Sequence, residues 1–136
     1  MKQTLTIDAL NENLHSVIDF VDEQLELNGC NMKEQMQIEL ALEEMFVNIA
    51  NYAYEGRTGK AEVIFSCDNG VAEITLSDSG KPYDPLKKAD PDTTLSAEER
   101  KIGGLGIFLV KKNMDNVAYR YEDGKNIFTM SKRITK

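Results

Sequence analysis

The 136-residue chain has one histidine, two cysteines and no apolar run long enough to cross a bilayer. Each shortage removes a class of function. A histidine-built metal site or a Ser-His-Asp triad would rest on His15 alone, and that residue fits the surface of an N-terminal helix. Cys30 and Cys67 stand in no metal-like spacing. Met1-Lys2-Gln3-Thr4 leads into alternating residues rather than an apolar leader, so a cytoplasmic protein with reduced thiols is expected. A membrane span needs ~20 consecutive apolar residues, and no stretch approaches that. Positive charge is also short: 16 Lys and Arg against 23 Asp and Glu leave a net charge of -7. Such a surface repels phosphate backbones and anionic lipid heads, so neither nucleic acid nor membrane is expected as a partner. A small anion stays open, because a nucleotide pocket works through local dipoles rather than net charge.

The length fits one domain, 1–136, able to bury a core without metal or disulfide staples. Leu5, Ile7 and Ala9 alternate with polar residues as in a strand. Asn11 is placed to cap a helix carrying Leu14, Val17, Ile18, Val21 and Leu25 on one stripe, with Gly29 as its stop. Asn31, with Glu34 three residues on, opens a second helix to about Tyr54, ended by Gly56. Its apolar residues Met36, Ile38, Leu42, Met45, Phe46, Ile49, Ala50 and Ala53 span a broad arc and predict a largely buried helix. Strands over 62–67 and 71–77 flank the turn Asp68-Asn69-Gly70. From Gly80 to Ile102, with Pro82, Pro85 and Pro91, the pattern is that of a loop or lid. A helix over 107–114 and a hairpin of 117–121 with 127–130 about Glu122-Asp123-Gly124 complete the chain. This order predicts an α+β fold: a two-layer sandwich of a mixed, mostly antiparallel sheet with helices on one face.

Three clusters carry chemistry, each with a plainer alternative. Glu44, Asn48 and Asn51 share one face of the second helix. They form either the polar lining of a ligand site or the solvated edge of the helix. Asp78 follows Ala72, Ile74 and Leu76 on the core face of its strand. A carboxylate there would accept a proton from an adenine amino group, with Gly80 letting backbone approach the ring; an ordinary turn with Asp bonding its own backbone fits equally. Gly103-Gly104-Leu105-Gly106 before a helix provides backbone N–H groups and a helix start, as a phosphate cradle or as a hinge and cap.

Taken together, Glu44-x-x-x-Asn48, Asp78-x-Gly80, a lid and Gly104-Leu105-Gly106 resemble the GHKL (Bergerat-fold) ATPases, the superfamily of gyrase B, MutL, the large heat-shock chaperone and histidine kinases. The resemblance covers nearly the whole chain. Gly103 to Ile107 and the run Asp78-Ser79-Gly80-Lys81-Pro82-Tyr83-Asp84-Pro85 look closest to small anti-sigma-factor serine/threonine kinases. It implies that Glu44 is the general base or the orienter of the attacking group, that Asn48 holds Mg²⁺ on the phosphates of ATP or ADP, and that Asp78 binds adenine. It also implies that Gly103, Gly104, Leu105 and Gly106 wrap the phosphates, and that Asn51, Gly80 and Lys101 also contact the nucleotide. Arg100 and Lys101 would neutralise the γ-phosphate, or simply balance Glu98 and Glu99 on a solvated face. The implied activity is phosphorylation of an anti-sigma-factor antagonist by a homodimer that also sequesters a sigma factor. The alternatives are a nucleotide-dependent binding switch without kinase activity and a plain α+β interaction domain. Departures from the family pattern are Tyr52 where many relatives have histidine, Ile102 where some have arginine, and Asn126, with Thr129 further on, where relatives often have a threonine that contacts adenine through water. A histidine kinase is disfavoured because His15 is the only histidine and sits on a short helix.

Overall fold

The computed structural model describes residues 2–55, 57–87 and 105–135. Five strands form one sheet in the order β1-β2-β3-β5-β4: β1 Gln3–Asp8, β2 Lys60–Asp68, β3 Val71–Asp78, β4 Asn116–Glu122 and β5 Lys125–Arg133. The sheet expected as mostly antiparallel has antiparallel pairing at every described junction. Helices α1 Leu14–Leu27, α2 Met32–Tyr52 and α3 Leu105–Asn113 pack on one face. None of the described helices is long and apolar enough to cross a membrane.

Period two in the strands and the helical stripes meet in a single core. Val63 and Phe65 of β2, Ile74 and Leu76 of β3, and Phe128 and Met130 of β5 point at the helices. Val17, Val21 and Leu25 of α1, Ile38, Leu42, Phe46 and Ile49 of α2, and Ile107 and Val110 of α3 close over them. Both hairpins use two-residue turns with positive φ, at Asn69-Gly70 and Asp123-Gly124, whose twist suits antiparallel strands.

The caps were partly legible. Gly29, at φ 77°, ends α1 in a Schellman motif, with the Gly29 and Cys30 N–H groups donating to the Glu26 and Leu25 carbonyls. The Asn31 side chain accepts from the Glu34 N–H at 2.9 Å and starts α2. Asn11 does not cap α1. It begins a 3-10 turn, Asn11–Asn13, and its side chain turns to α2 instead. α2 ends at Tyr52, and the described residue in left-handed conformation beyond it is Glu55, at φ 46°; Gly56 lies outside the described residues. Met36 departs from the expected buried arc: it is 55% exposed, on the same outer row as Met32 and Leu40. α3 starts at Leu105 rather than Ile107, which puts Gly106 inside its first turn. The helix forms two residues early because Ile107 and Val110 then reach the core together with Met114.

Acids crowd the α1–α2 seam. Burial, then a hydrogen bond to Glu39, then the charges of Glu39, Glu26 and Asp19 push the Asp22 carboxyl from 3.8 up to about 7. Asp22 Oδ1 is sealed there without a partner, so the protonated form is favoured. The folded state therefore binds the extra proton. This contribution is fully present at pH values near 4 and below, and is lost as pH rises towards 7. Asp22→Asn keeps a donor for Glu39 without the charge. Urea unfolding should show it more stable than the parent at pH 8, by about 1 kcal/mol once solvent screening is allowed for, with a flatter pH dependence. Equal stabilities at pH 8 would show that the pair is not strained there.

Candidate functional site

The inner faces of α2, the end of β3 and the start of α3 enclose a cavity of about 660 Å³. Met45, Ile49, Leu76, Ile107 and Phe128 give it apolar walls. Glu44, Asn48 and Asn51 line it from α2, Asp78 from the sheet, Gly106 from α3, and Tyr83, Tyr119 and Asn126 from the far end. The strip on α2 is therefore the lining of a cleft rather than a free edge of the helix. A helix offset of four, then three, puts the three polar side chains on one line, and the sheet supplies the opposite wall. An apolar slot with a few convergent polar groups is the common form of a small-molecule site.

Asp78 is the buried acid at the cavity's sheet end, 6% exposed. Both readings of its turn hold at once. Its Oδ1 accepts from the Gly80 N–H at 2.9 Å, an Asx turn, and the residue still lines the cavity. Oδ1 also accepts from Asn126 Nδ2 at 3.0 Å. The register makes this contact: Asp78 and Asn126 are directly paired across β3 and β5, on the core face. Asn126 is 7% exposed and fully engaged. Its second N–H donates to the Lys81 carbonyl at 2.8 Å, and its Oδ1 accepts from the Tyr83 N–H at 3.0 Å and from the Tyr119 hydroxyl. Sequence reasoning did not find this junction, because it depends on residues 48 apart becoming neighbours.

Glu44 is half-buried. Burial first, and then the adjacent Glu43 charge, raise its carboxyl above the ordinary glutamate range. Gly106 accommodates it: a Cβ at 106 would lie 2.6 Å from Glu44 Oε2. The carboxylate thus stands at the first turn of α3, where the helix dipole is positive. Asn48 lines the cavity one turn further along α2, while Asn51 Oδ1 accepts from Asn11 Nδ2 at 2.8 Å. That bond ties the chain after β1 to the rim.

Gly80 adjoins the cavity-lining Asp78 and Lys81 but does not itself line the cavity. It packs on the end of α2, where a Cβ would come within 2.2 Å of the Ala53 carbonyl oxygen, and the Lys81 N–H donates to that same oxygen at 3.0 Å. Tyr54 reinforces the junction, its hydroxyl accepting from the Ser79 N–H at 2.8 Å and donating to the Lys60 carbonyl at 2.5 Å. Gly80→Ala should therefore destabilise the fold by roughly 1–3 kcal/mol in chemical denaturation, because the obstacle is backbone. A neutral result would show that the segment after β3 can move away from α2. Lys101, Gly103 and Gly104, with Arg100 and Ile102, lie outside the described residues, and Leu105 is described only as the first residue of α3.

The fold and cavity define an α+β sandwich with a ligand cleft between helices and sheet. The sequence pattern of the histidine kinase-like ATPase domain family matches residues 7–132, and the chain belongs to that family, part of the GHKL superfamily. Among its relatives, the serine-protein kinase RsbW of Listeria monocytogenes is 29% identical over 104 residues, covering 73% of this chain and 66% of that protein. RsbW of Bacillus thuringiensis is 26% identical over 103 residues, covering 73% and 64%. The chain thus spans just under two thirds of the length of these relatives. In fold it matches the structure of the RsbU and RsbW domains of Rv1364c from Mycobacterium tuberculosis, with a TM-score of 0.69 at 16% identity over 100% of this chain and 33% of the other. It also matches the Acinetobacter baumannii histidine kinase AdeS, with a TM-score of 0.53 at 14% identity over 98% of this chain and 68% of the other.

Proposed function

We propose that this chain is an ATP-binding protein serine/threonine kinase of the anti-sigma-factor type. In this reading it works as one domain in the cytoplasm, alone or as a homodimer. It phosphorylates an anti-sigma-factor antagonist and regulates transcription by switching between that partner and a sigma factor. The observation that carries the reading is convergence: Glu44, Asn48, Asn51, Asp78 and Gly106 come from three separate elements and line one cavity. Similarity to serine-protein kinases named RsbW supports the choice of reaction and partner class.

Each residue has a task in this reading. Asp78 accepts from the adenine amino group at the buried end, while Asn51 and the backbone at Gly106 lie towards the phosphates. The residues fit Mg²⁺, since Asn48 offers a hard amide oxygen beside the Glu44 carboxylate and Mg²⁺ takes few protein ligands and keeps several waters. Asn48 would hold the ion, which when bound supplies charge neutralisation to the phosphates. Transfer forms a bond from the partner's hydroxyl oxygen to the γ-phosphorus and breaks the bond to the ADP oxygen. Glu44 takes the hydroxyl proton, and the remaining work is positioning.

The test is transfer of labelled γ-phosphate to a purified anti-sigma-factor antagonist. Labelled antagonist is the expected result. Tight ATP binding without transfer would establish the nucleotide-dependent switch instead, and no binding of ATP or ADP would remove both readings.

A further inference from the structure

Asp78 has two carboxylate oxygens, and the protein treats them differently. Oδ1 receives two donors, the Gly80 N–H at 2.9 Å and Asn126 Nδ2 at 3.0 Å, which fill both of its lone pairs. Among the described residues no donor reaches Oδ2, and that atom is not among the buried polar atoms sealed without a partner. The acid lines the main cavity, so Oδ2 is its available acceptor there. Asn126 cannot swing away to release Oδ1. Its other N–H is spent on the Lys81 carbonyl, and its own oxygen holds Tyr83 N–H and the Tyr119 hydroxyl.

This asymmetry has a consequence for base recognition. A free carboxylate reads guanine with both oxygens, one on N1–H and one on the 2-amino group. A carboxylate with one oxygen occupied can take only a single donor. Adenine presents a single amino donor next to a ring nitrogen acceptor and suits such a site. We infer that Asn126 is a positioning residue that makes Asp78 a single-acceptor group and thereby sets the cavity's preference for adenine over guanine nucleotides. The inference rests on the proposed nucleotide site but goes beyond it, since a nucleotide could bind there without Asn126 deciding the base.

Calorimetric titration of the full chain with ATP, GTP and ITP, all with Mg²⁺, tests it. ITP lacks only the 2-amino group of GTP. A two-oxygen acid would bind GTP more tightly than ITP by about 10–100-fold, the worth of one hydrogen bond to a charged group. The parent protein should instead bind GTP and ITP within roughly threefold of each other, both at least about tenfold weaker than ATP. Asn126→Ala frees a lone pair on Oδ1 and should shrink the ATP:GTP ratio by about tenfold, through tighter GTP binding as well as weaker ATP binding. A purely structural role for Asn126 would weaken both nucleotides alike and leave the ratio unchanged. That outcome overturns the inference, as does a parent protein that binds GTP tenfold or more tightly than ITP. The ITP comparison uses the unaltered chain, so it decides the matter even if Asn126→Ala fails to fold. No binding of ATP by the parent would overturn the proposed nucleotide site itself, and this inference with it. ATP binding with either contrary result would overturn the inference alone.

Discussion

Asp78→Asn is expected to weaken adenine-nucleotide binding by about 100-fold while leaving the fold intact. The substitution is isosteric, and an amide oxygen at the Oδ1 position keeps both protein hydrogen bonds, from Gly80 and from Asn126. The oxygen left without a protein donor, Oδ2, changes from an acceptor to an N–H donor. An adenine amino group then loses a hydrogen bond to a charged partner, worth about 1.5–3 kcal/mol, and faces another donor. That energy corresponds to about 10–100-fold in affinity, and the donor–donor clash places the result at the upper end. Titration with ATP and with ADP, beside a thermal melt of each protein, reads both halves of the expectation. An affinity unchanged within about threefold would mean that Asp78 serves only its own turn.

Glu44→Ala should separate chemistry from binding. General-base assistance contributes about 10²–10⁴-fold, so phosphoryl transfer should fall by that factor while the ATP dissociation constant stays within about threefold. The wall at Gly106 loses a close neighbour and, among the described residues, no hydrogen bond. The pH profile gives a second readout. Burial raises the Glu44 carboxyl above the ordinary glutamate range, and a base works only when deprotonated. In the parent protein the transfer rate should therefore go on rising with pH after an ordinary glutamate would have finished titrating. In Glu44→Ala that rise should vanish. Unchanged phosphorylation in the variant would end the role for Glu44, and a flat parent profile would show that proton removal is not part of the limiting step.

What the sequence determined by itself was local. The type I′ turn residues at Asn69-Gly70, the Gly29 stop and the Asn31 cap act through their own backbone geometry, and each appears where the residue types placed it. Periodicity put Glu44, Asn48 and Asn51 on one helical face and Asp78 on the core face of its strand, because both periods are properties of a single element. Three things needed tertiary structure. The walls of the cavity come from α2, β3 and α3, and their meeting depends on core packing across the whole chain. The packing of Gly80 was not legible either: the carbonyl of Ala53, at the end of α2, fills the side where a Cβ would stand. The junction at Asn126 exists because β5, the last strand in the chain, inserts between β4 and β3 and slides to the register that sets residue 126 opposite residue 78. A strand's own residues choose which of its faces is buried. Which strand lies beside it, and in what register, is decided by how all the apolar faces can be covered at once, and that is why the partner of Asp78 was beyond reach of the sequence alone.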